Sequence, residues 1–323
     1  MFRYNVVIRT VGRAGEKYVK EIESLQHQSI SPNRIIVYVA EGFDLPQRVG
    51  CEEYIYVPKG LVHQRAIVPH DKDVPYLLVL DDDVYLPEDS VEKMYEYLVQ
   101  YSADCIIPDT FPSHEMGLKE KMIAFLTNDV SPRFSDRYAI KIKRSGAFSY
   151  NNAPRTDVLL QTQSGAGPAF FIKESSFLYI RYSDEFWVDS FPPGTFYEDQ
   201  LMFYKLYVNG CKMFMWYNSG VKHLDAGTNN QKEKSFEKLM YRAMANHVIW
   251  HRSVLSTAIG SMEKFLCYLA FFNRFMSGLG VRFLYSCVKF SSKYFIAYIK
   301  GNWEGMKYVC GKIYKELPPY VIN

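Results

Sequence analysis

Short apolar runs alternate along this chain with stretches of helical period. Val6-Val7-Ile8 within residues 5–10, Ile35-Ile36-Val37-Tyr38-Val39 within 34–40, residues 54–57, and Leu77-Leu78-Val79-Leu80 read as strands, each too short for a helix. Between the first two, Tyr18, Ile22 and Leu25 recur on one helical face until Ser31-Pro32 ends it. A short helix is predicted around Gln64-Arg65-Ala66, and a longer one opens at Pro87-Glu88-Asp89 with Val91, Tyr95 and Leu98 inward. Cys105-Ile106-Ile107 is the next strand. This alternation predicts an α/β fold, a mostly parallel sheet with helices on both faces.

Residues 110–162 interleave prolines and aromatics with polar positions, as expected of a long variable loop region. Order returns at residues 165–172, followed by a helix from about 200 to 208 stopped by Asn209-Gly210, and a strand over 212–217. Beyond about Lys232 the pattern is helical throughout. The chain therefore divides into a sheet-containing part, residues 1–230, and a helical region, residues 231–323.

Charge sharpens that division. The whole chain carries only +3, but residues 231–323 hold 14 Lys+Arg against 5 Glu and no Asp, a net of +9. A basic, aromatic tail on an acidic body is expected either to meet an anionic surface, such as the inner face of a membrane, or to be an ordinary basic helical subdomain. Arg282, Lys289, Lys293 and Lys300 share one face if a single helix runs through them. Six widely spaced cysteines without a Cys-x-x-Cys pair argue for a reducing, cytoplasmic location. A strand within five residues of the start is read as leaving no room for a signal peptide. No uncharged run approaches the ~20 residues needed to cross a bilayer.

Three places carry candidate chemistry. Asp81, Asp82 and Asp83 stand where a buried strand leaves the core, so they form either a cluster for a hard divalent cation or a solvated acidic turn. Glu198 and Asp199 open a helix, where backbone amides favour an ionised carboxylate that acts as a general base or merely as a cap. His223 follows a strand and is a candidate nitrogen ligand or a structural histidine.

Taken in order, these residues resemble family 2 of the glycosyltransferases, of GT-A fold and bacterial cell-surface polysaccharide type, over roughly residues 4–226. The carriers are the strand and Thr10 turn, Ser24-Leu25-Gln26-His27-Gln28-Ser29, Lys59-Gly60 through Arg65, Asp81-Asp82-Asp83 as the Asp-x-Asp motif, Glu198-Asp199 as the Glu-Asp pair, and His223. The resemblance implies inverting transfer from a nucleoside-diphosphate sugar, UDP-type, to a glycan or lipid-linked acceptor, with Mn²⁺ or Mg²⁺ and no nucleic acid. It implies Asp199 as base with Glu198 beside it, and Asp83 with His223 at the metal. Thr10, Arg13, Glu41, Arg65, Asp81 and Asp82 fall on the donor side, and Gly165, Gly167 and Trp187 at the sugars. The chain departs from the family at Ala40-Glu41-Gly42-Phe43, where relatives often carry Asp-Asp-Gly-Ser, and at Leu224-Asp225-Ala226 after the histidine, which leaves nucleobase choice and metal contact by His223 open. A catalytically inactive glycan-binding or scaffold protein of the same fold and a nucleotidyltransferase are the alternatives.

Overall fold

The computed structural model describes residues 2–110, 117–127, 138–150, 158–192, 194–224 and 235–322. Strand β1 (Tyr4–Thr10) leads through α1 (Glu16–Gln26) to β2 (Arg34–Ala40) and β3 (Glu53–Val57), then through α2 (Leu61–Ala66) to β4 (Tyr76–Asp81). The short β5 (Val84–Tyr85), α3 (Ser90–Gln100) and β6 (Cys105–Pro108) follow. The region expected to be loop contains, in its described parts, α4 (Leu118–Thr127), β7 (Ile140–Ile142), β8 (Phe148–Tyr150) and β9 (Leu159–Gln161). These strands are only three residues long, too short to show a period in the sequence.

Next come β10 (Ala169–Lys173), α5 (Glu174–Tyr179), a 3₁₀ segment (Tyr182–Ser190), α6 (Glu198–Val208), β11 (Met213–Trp216) and β12 (Lys222–His223). Helix α7 (Phe236–Ile249) continues into a π-helical turn (Trp250–Leu255), and α8 (Gly260–Val288) and α9 (Lys293–Cys310) form a hairpin.

Eight strands make one sheet in the order β3-β2-β1-β4-β10-β6-β11-β9, parallel except for β10 and β9. The predicted α/β architecture is therefore what the chain adopts. Alternation along the strands fills two layers: Val7, Leu77 and Val79 point to one side, Val6, Ile8, Leu78 and Leu80 to the other. The chain runs outward from β1 to β2 and β3 and then crosses back to β4 on the other side of β1, so the strand order reverses and a crevice opens between the carboxyl ends of β1 and β4. Because β10 runs the other way, its start lies beside the end of β4, with Ala169 opposite Leu80. That brings residues 165–168 to the crevice, and the Asp81 amide donates to the Pro168 carbonyl at 2.9 Å.

The C-terminal helices share this core. Met244, Ala245, Val248 and Ile249 of α7 pack in the same cluster as Val7 and Leu77, while Trp250, Val254 and Cys267 join β7 and β11. A buried ion cluster ties them further. The Glu185 carboxylate accepts from Arg252 at 2.7 and 3.1 Å, from Lys205 at 3.0 Å and from the Trp187 indole at 2.7 Å. Helix α9 lies close on α7 because Gly301 and Gly305 carry no side chain where the Met240 carbonyl and His247 approach.

The basic face expected along Arg282, Lys289, Lys293 and Lys300 does not exist on one helix. Helix α8 ends at Val288, Phe290 takes a left-handed backbone (φ 48°), and α9 starts afresh at Lys293. Arg282 folds over the Tyr298 ring, 4.1 Å from its centroid.

Candidate active site

A cleft of about 870 Å³ occupies the crevice. Its floor is set by register. Arg9 and Asp81 are partners across β1 and β4, and the Arg9 Nε donates to Asp81 Oδ1 at 2.5 Å. Arg9 also reaches the Leu61 carbonyl at 3.3 Å and Glu198 at 3.7 Å. Burial opposes ionisation of Asp81, but Arg9 and Arg65 outweigh it and hold this carboxyl below the usual carboxylate range.

Arg65 owes its place to how α2 is tied down. Gly60 offers no capping side chain, and Asp189 supplies one instead, accepting from the amides of Val62 and His63 at 3.1 and 2.8 Å. Gln64 donates to the carbonyls of Thr10 and Tyr38 at 2.9 and 3.0 Å, fixing the helix across the ends of β1 and β2. The next residue, Arg65, is thereby buried behind the cleft. Its guanidinium pairs with Asp199, lies 3.3 Å from Asp81 and donates to the Gly167 carbonyl at 3.1 Å.

Asp82 and Asp83 face different ways. The Thr10 hydroxyl donates to Asp82 and accepts from the Gly12 amide at 2.7 Å, so this pair braces the turn after β1. Burial, with the charges of Asp83 and Asp81 added, raises the Asp82 carboxyl to about 6. Behind it Glu21 is fully buried, with one oxygen accepting from the Val84 amide at 3.2 Å, and burial pushes its carboxyl well above the usual range. Asp83 points instead to His223, Oδ1 to Nε2 3.0 Å. The β5–β12 ladder sets His223 opposite Val84, and the Leu224 amide donates to the Asp83 carbonyl at 2.7 Å. Asp225 and Ala226 lie outside the described residues.

The separation of Asp83 and His223 suits neighbouring ligands on one cation, since ligands about 2.1 Å from a metal at right angles lie about 3 Å apart. Among the described residues no group of three or more His, Cys, Asp or Glu side chains has metal-binding geometry. Two protein ligands completed by substrate phosphates fit this donor set.

Across the cleft, α6 presents Glu198 and Asp199 in its first turn. The Asp199 side chain is about one-third exposed (34%), whereas Glu198 is buried. Burial and the neighbouring Asp199 charge raise the Glu198 carboxyl to about 7 against the pull of Arg9 and Arg65. Gly167 is required next to them, because a Cβ there runs into the Asp199 carboxylate. At Gly165 a Cβ approaches Ile107 to 2.6 Å.

The cleft thus gathers Thr10, Asp81, Asp82, Asp83, Gly165, Gly167, Glu198, Asp199 and His223 from the residues singled out in the sequence. Others fall elsewhere. Arg65 stands behind the carboxylates instead of facing the cleft. Arg13 and Glu41 are exposed beyond the ends of β1 and β2 and do not line it; Arg13 and Lys59 flank the Phe43 ring at 5.1 and 4.8 Å. Trp187 is not a wall beneath a sugar. Its indole N–H is satisfied by buried Glu185, and its ring packs against Phe191, Phe196 and Tyr308. Phe196, Tyr197, Phe148 and Tyr150 supply the aromatic lining. Arg9 went unmarked in the sequence, although an arginine ending an apolar strand was the available signal. Lys238 and Arg242 of α7 also line the cleft, and nothing local distinguishes them from other tail cations.

No family model matches the chain, and no curated protein matches it. Among solved structures it is similar to S. aureus TarS, at 11% identity and a TM-score of 0.43, over 94% of this chain and 55% of that one. It is also similar to the structure of S. aureus TarS 1-349, at 11% identity and a TM-score of 0.41, over 95% and 92%. The chain spans about half the length of the first of these.

Proposed function

We propose that this protein is an inverting glycosyltransferase that moves a sugar from a nucleoside-diphosphate donor, UDP-type, to an acceptor hydroxyl in cell-surface glycan synthesis. The observation that carries this reading is the convergence of Asp199 and the Asp83–His223 pair on one cleft at the carboxyl ends of β1 and β4. Asp83 and His223 would hold a divalent cation, Mn²⁺ or Mg²⁺, which offsets charge on the departing diphosphate. Thr10, Asp81 and Asp82 bound the donor side, while Arg13 and Glu41, exposed beyond the strand ends and outside the cleft lining, are assigned to the nucleoside.

Asp199 takes the proton of the acceptor hydroxyl as that oxygen bonds to the anomeric carbon. The nucleoside diphosphate leaves from the opposite face, so a single displacement inverts configuration. Arg65 holds one oxygen of Asp199, and the residue lines the cleft. Phe196, Tyr197 and the side-chain-free Gly165 and Gly167 shape the acceptor side, with a glycan or lipid-linked acceptor in view. Residues 1–230 would then carry the reaction, with α7 of the helical region contributing Lys238 and Arg242 to its rim.

A panel of nucleotide sugars, with and without Mn²⁺ or Mg²⁺, tests this by release of nucleoside diphosphate. A true donor at 100 times its dissociation constant also stabilises the fold by about 2.7 kcal/mol. Release of pyrophosphate would make the protein a nucleotidyltransferase. Stabilisation without turnover would make it a binding protein of inactive fold.

A further inference from the structure

The α8–α9 hairpin turns an unusual surface outward. Along α8, Met262, Phe265, Leu269, Phe272, Met276 and Phe283 recur three, four or seven residues apart and are all exposed, with Phe272 61% accessible. They stand opposite Cys267, Arg274 and Gly278, three of the four buried residues of α8, the fourth being Ser286 near its end. Helix α9 repeats the device with Ile296, Ile299, Trp303 and Met306, opposite the Ala297, Gly301 and Gly305 face that meets its neighbours. At the tip Phe290 is 98% exposed in a left-handed backbone, so burial among the described residues does not explain an aromatic ring there.

Two kinds of partner cover such stripes, a second copy or a lipid surface. Charge separates them. Lys293, Lys300 and Lys307, each seven residues apart, run along one edge of the α9 stripe, and Lys289 stands at the tip. Glu304, which pairs with Lys307 at 3.2 Å, is the one acid on α9. Coiled-coil seams are flanked by charges that complement the partner, whereas a second copy here brings the same net +9 of residues 231–323. An anionic lipid surface complements it. Among the described residues no helix is long and apolar enough to cross a membrane, which leaves lying along a surface as the mode of contact to test.

We propose that the outward face of the α8–α9 hairpin is a docking surface for an anionic lipid bilayer, with Phe272, Phe290 and Trp303 entering the headgroup boundary and Lys289, Lys293, Lys300 and Lys307 facing acidic headgroups. Helix α9 packs through Gly301 and Gly305 on α7, which carries Lys238 and Arg242 to the cleft, so the docked face and the cleft are joined by one helix. The proposal does not rest on the reaction assigned above.

Co-sedimentation with vesicles of phosphatidylcholine alone, or mixed with phosphatidylglycerol, tests it without any substrate. The full chain is expected to pellet with the mixed vesicles at low salt and to be released by salt. Three lysines near an anionic surface change partitioning on the order of 100-fold. Replacing Lys293, Lys300 and Lys307 together by Gln should therefore remove most binding to mixed vesicles. A second variant, Phe272→Gln with Phe290→Gln and Trp303→Gln, changes only exposed positions and should lose binding while unfolding at the parent's temperature. A parent that stays in the supernatant overturns the proposal, as does an apolar variant that binds like the parent. So does a stable parent dimer in solution that the apolar variant abolishes while vesicle binding is absent, which assigns the face to a second copy.

Discussion

Arg65 and Asp199 form an ion pair at the wall of the cleft, and the other guanidinium nitrogen of Arg65 lies 3.3 Å from Asp81. One buried cation thus fixes carboxylates from two elements, α6 and the end of β4. Removing it leaves Asp81 to Arg9 alone and Asp199 without its pair. Arg65→Met should destabilise the fold, by less than the ~3–5 kcal/mol of a fully buried pair because Asp199 and Asp81 are partly exposed. Arg65→Lys keeps the charge but not the two-armed reach, so it should recover only part of that loss. Urea denaturation midpoints check both, and a midpoint equal to the parent's for Arg65→Met would reduce the pair to an incidental contact.

Asp199→Asn is expected to lower turnover by about 10²–10⁴-fold with donor affinity little changed, the scale for loss of a general base. The amide is nearly the same size and still fits beside Gly167. Gly167→Ala should mimic part of the effect, since its methyl displaces the Asp199 carboxylate. Single-turnover rates alongside donor titrations separate the two quantities. Undiminished turnover in Asp199→Asn would leave the residue a purely structural role as the partner of Arg65.

For Asp83 and His223 the expected signature is in metal dependence. Asp83→Ala should abolish transfer and weaken nucleotide binding only when Mn²⁺ or Mg²⁺ is present. His223→Ala should raise the metal concentration needed for half-maximal rate by about 10-fold or more, within the range seen when a metal site loses supporting contacts. Rates measured across a metal titration decide this. Identical titrations for parent and Asp83→Ala would remove the cation from the proposal.

The sheet was legible because Val, Ile and Leu cluster in short runs between helical periods, and the site because acidic residues stand at strand and helix ends. What sequence could not show is pairing across the sheet. Arg9 looks like an ordinary surface cation until register sets it against Asp81. Trp187 looked like a sugar platform because nothing in its neighbourhood reveals that Glu185, buried by Arg252 and Lys205, takes its N–H. Lys238 and Arg242 enter the cleft only through the packing of α7 on the sheet domain. The basic face of the tail failed for a local reason. A left-handed backbone at Phe290 ends α8 between Arg282 and Lys293, and nothing in the residue types there marks the break.

Glu198 makes a prediction about pH. Its carboxyl is raised to about 7 by burial and by Asp199, with Arg9 at 3.7 Å and Arg65 opposing, while the Tyr182 hydroxyl donates to its backbone carbonyl at 3.2 Å. In an unfolded chain a glutamate titrates near ~4.3. Between those values the folded protein keeps a proton that the unfolded chain has released, so stability falls as pH rises through this window. Asp81 has the opposite sign. Its carboxyl is lowered by Arg9 and Arg65, and its contribution is present above the unfolded value and lost as pH falls through the folded one. Glu198→Gln removes the first effect and leaves the second. The variant should converge on the parent as pH falls below about 4, where both states hold the proton, and exceed it above about pH 7. Thermal unfolding across that range checks the sign, and parallel curves for parent and variant would mean that Glu198 titrates alike in the folded protein and the unfolded chain.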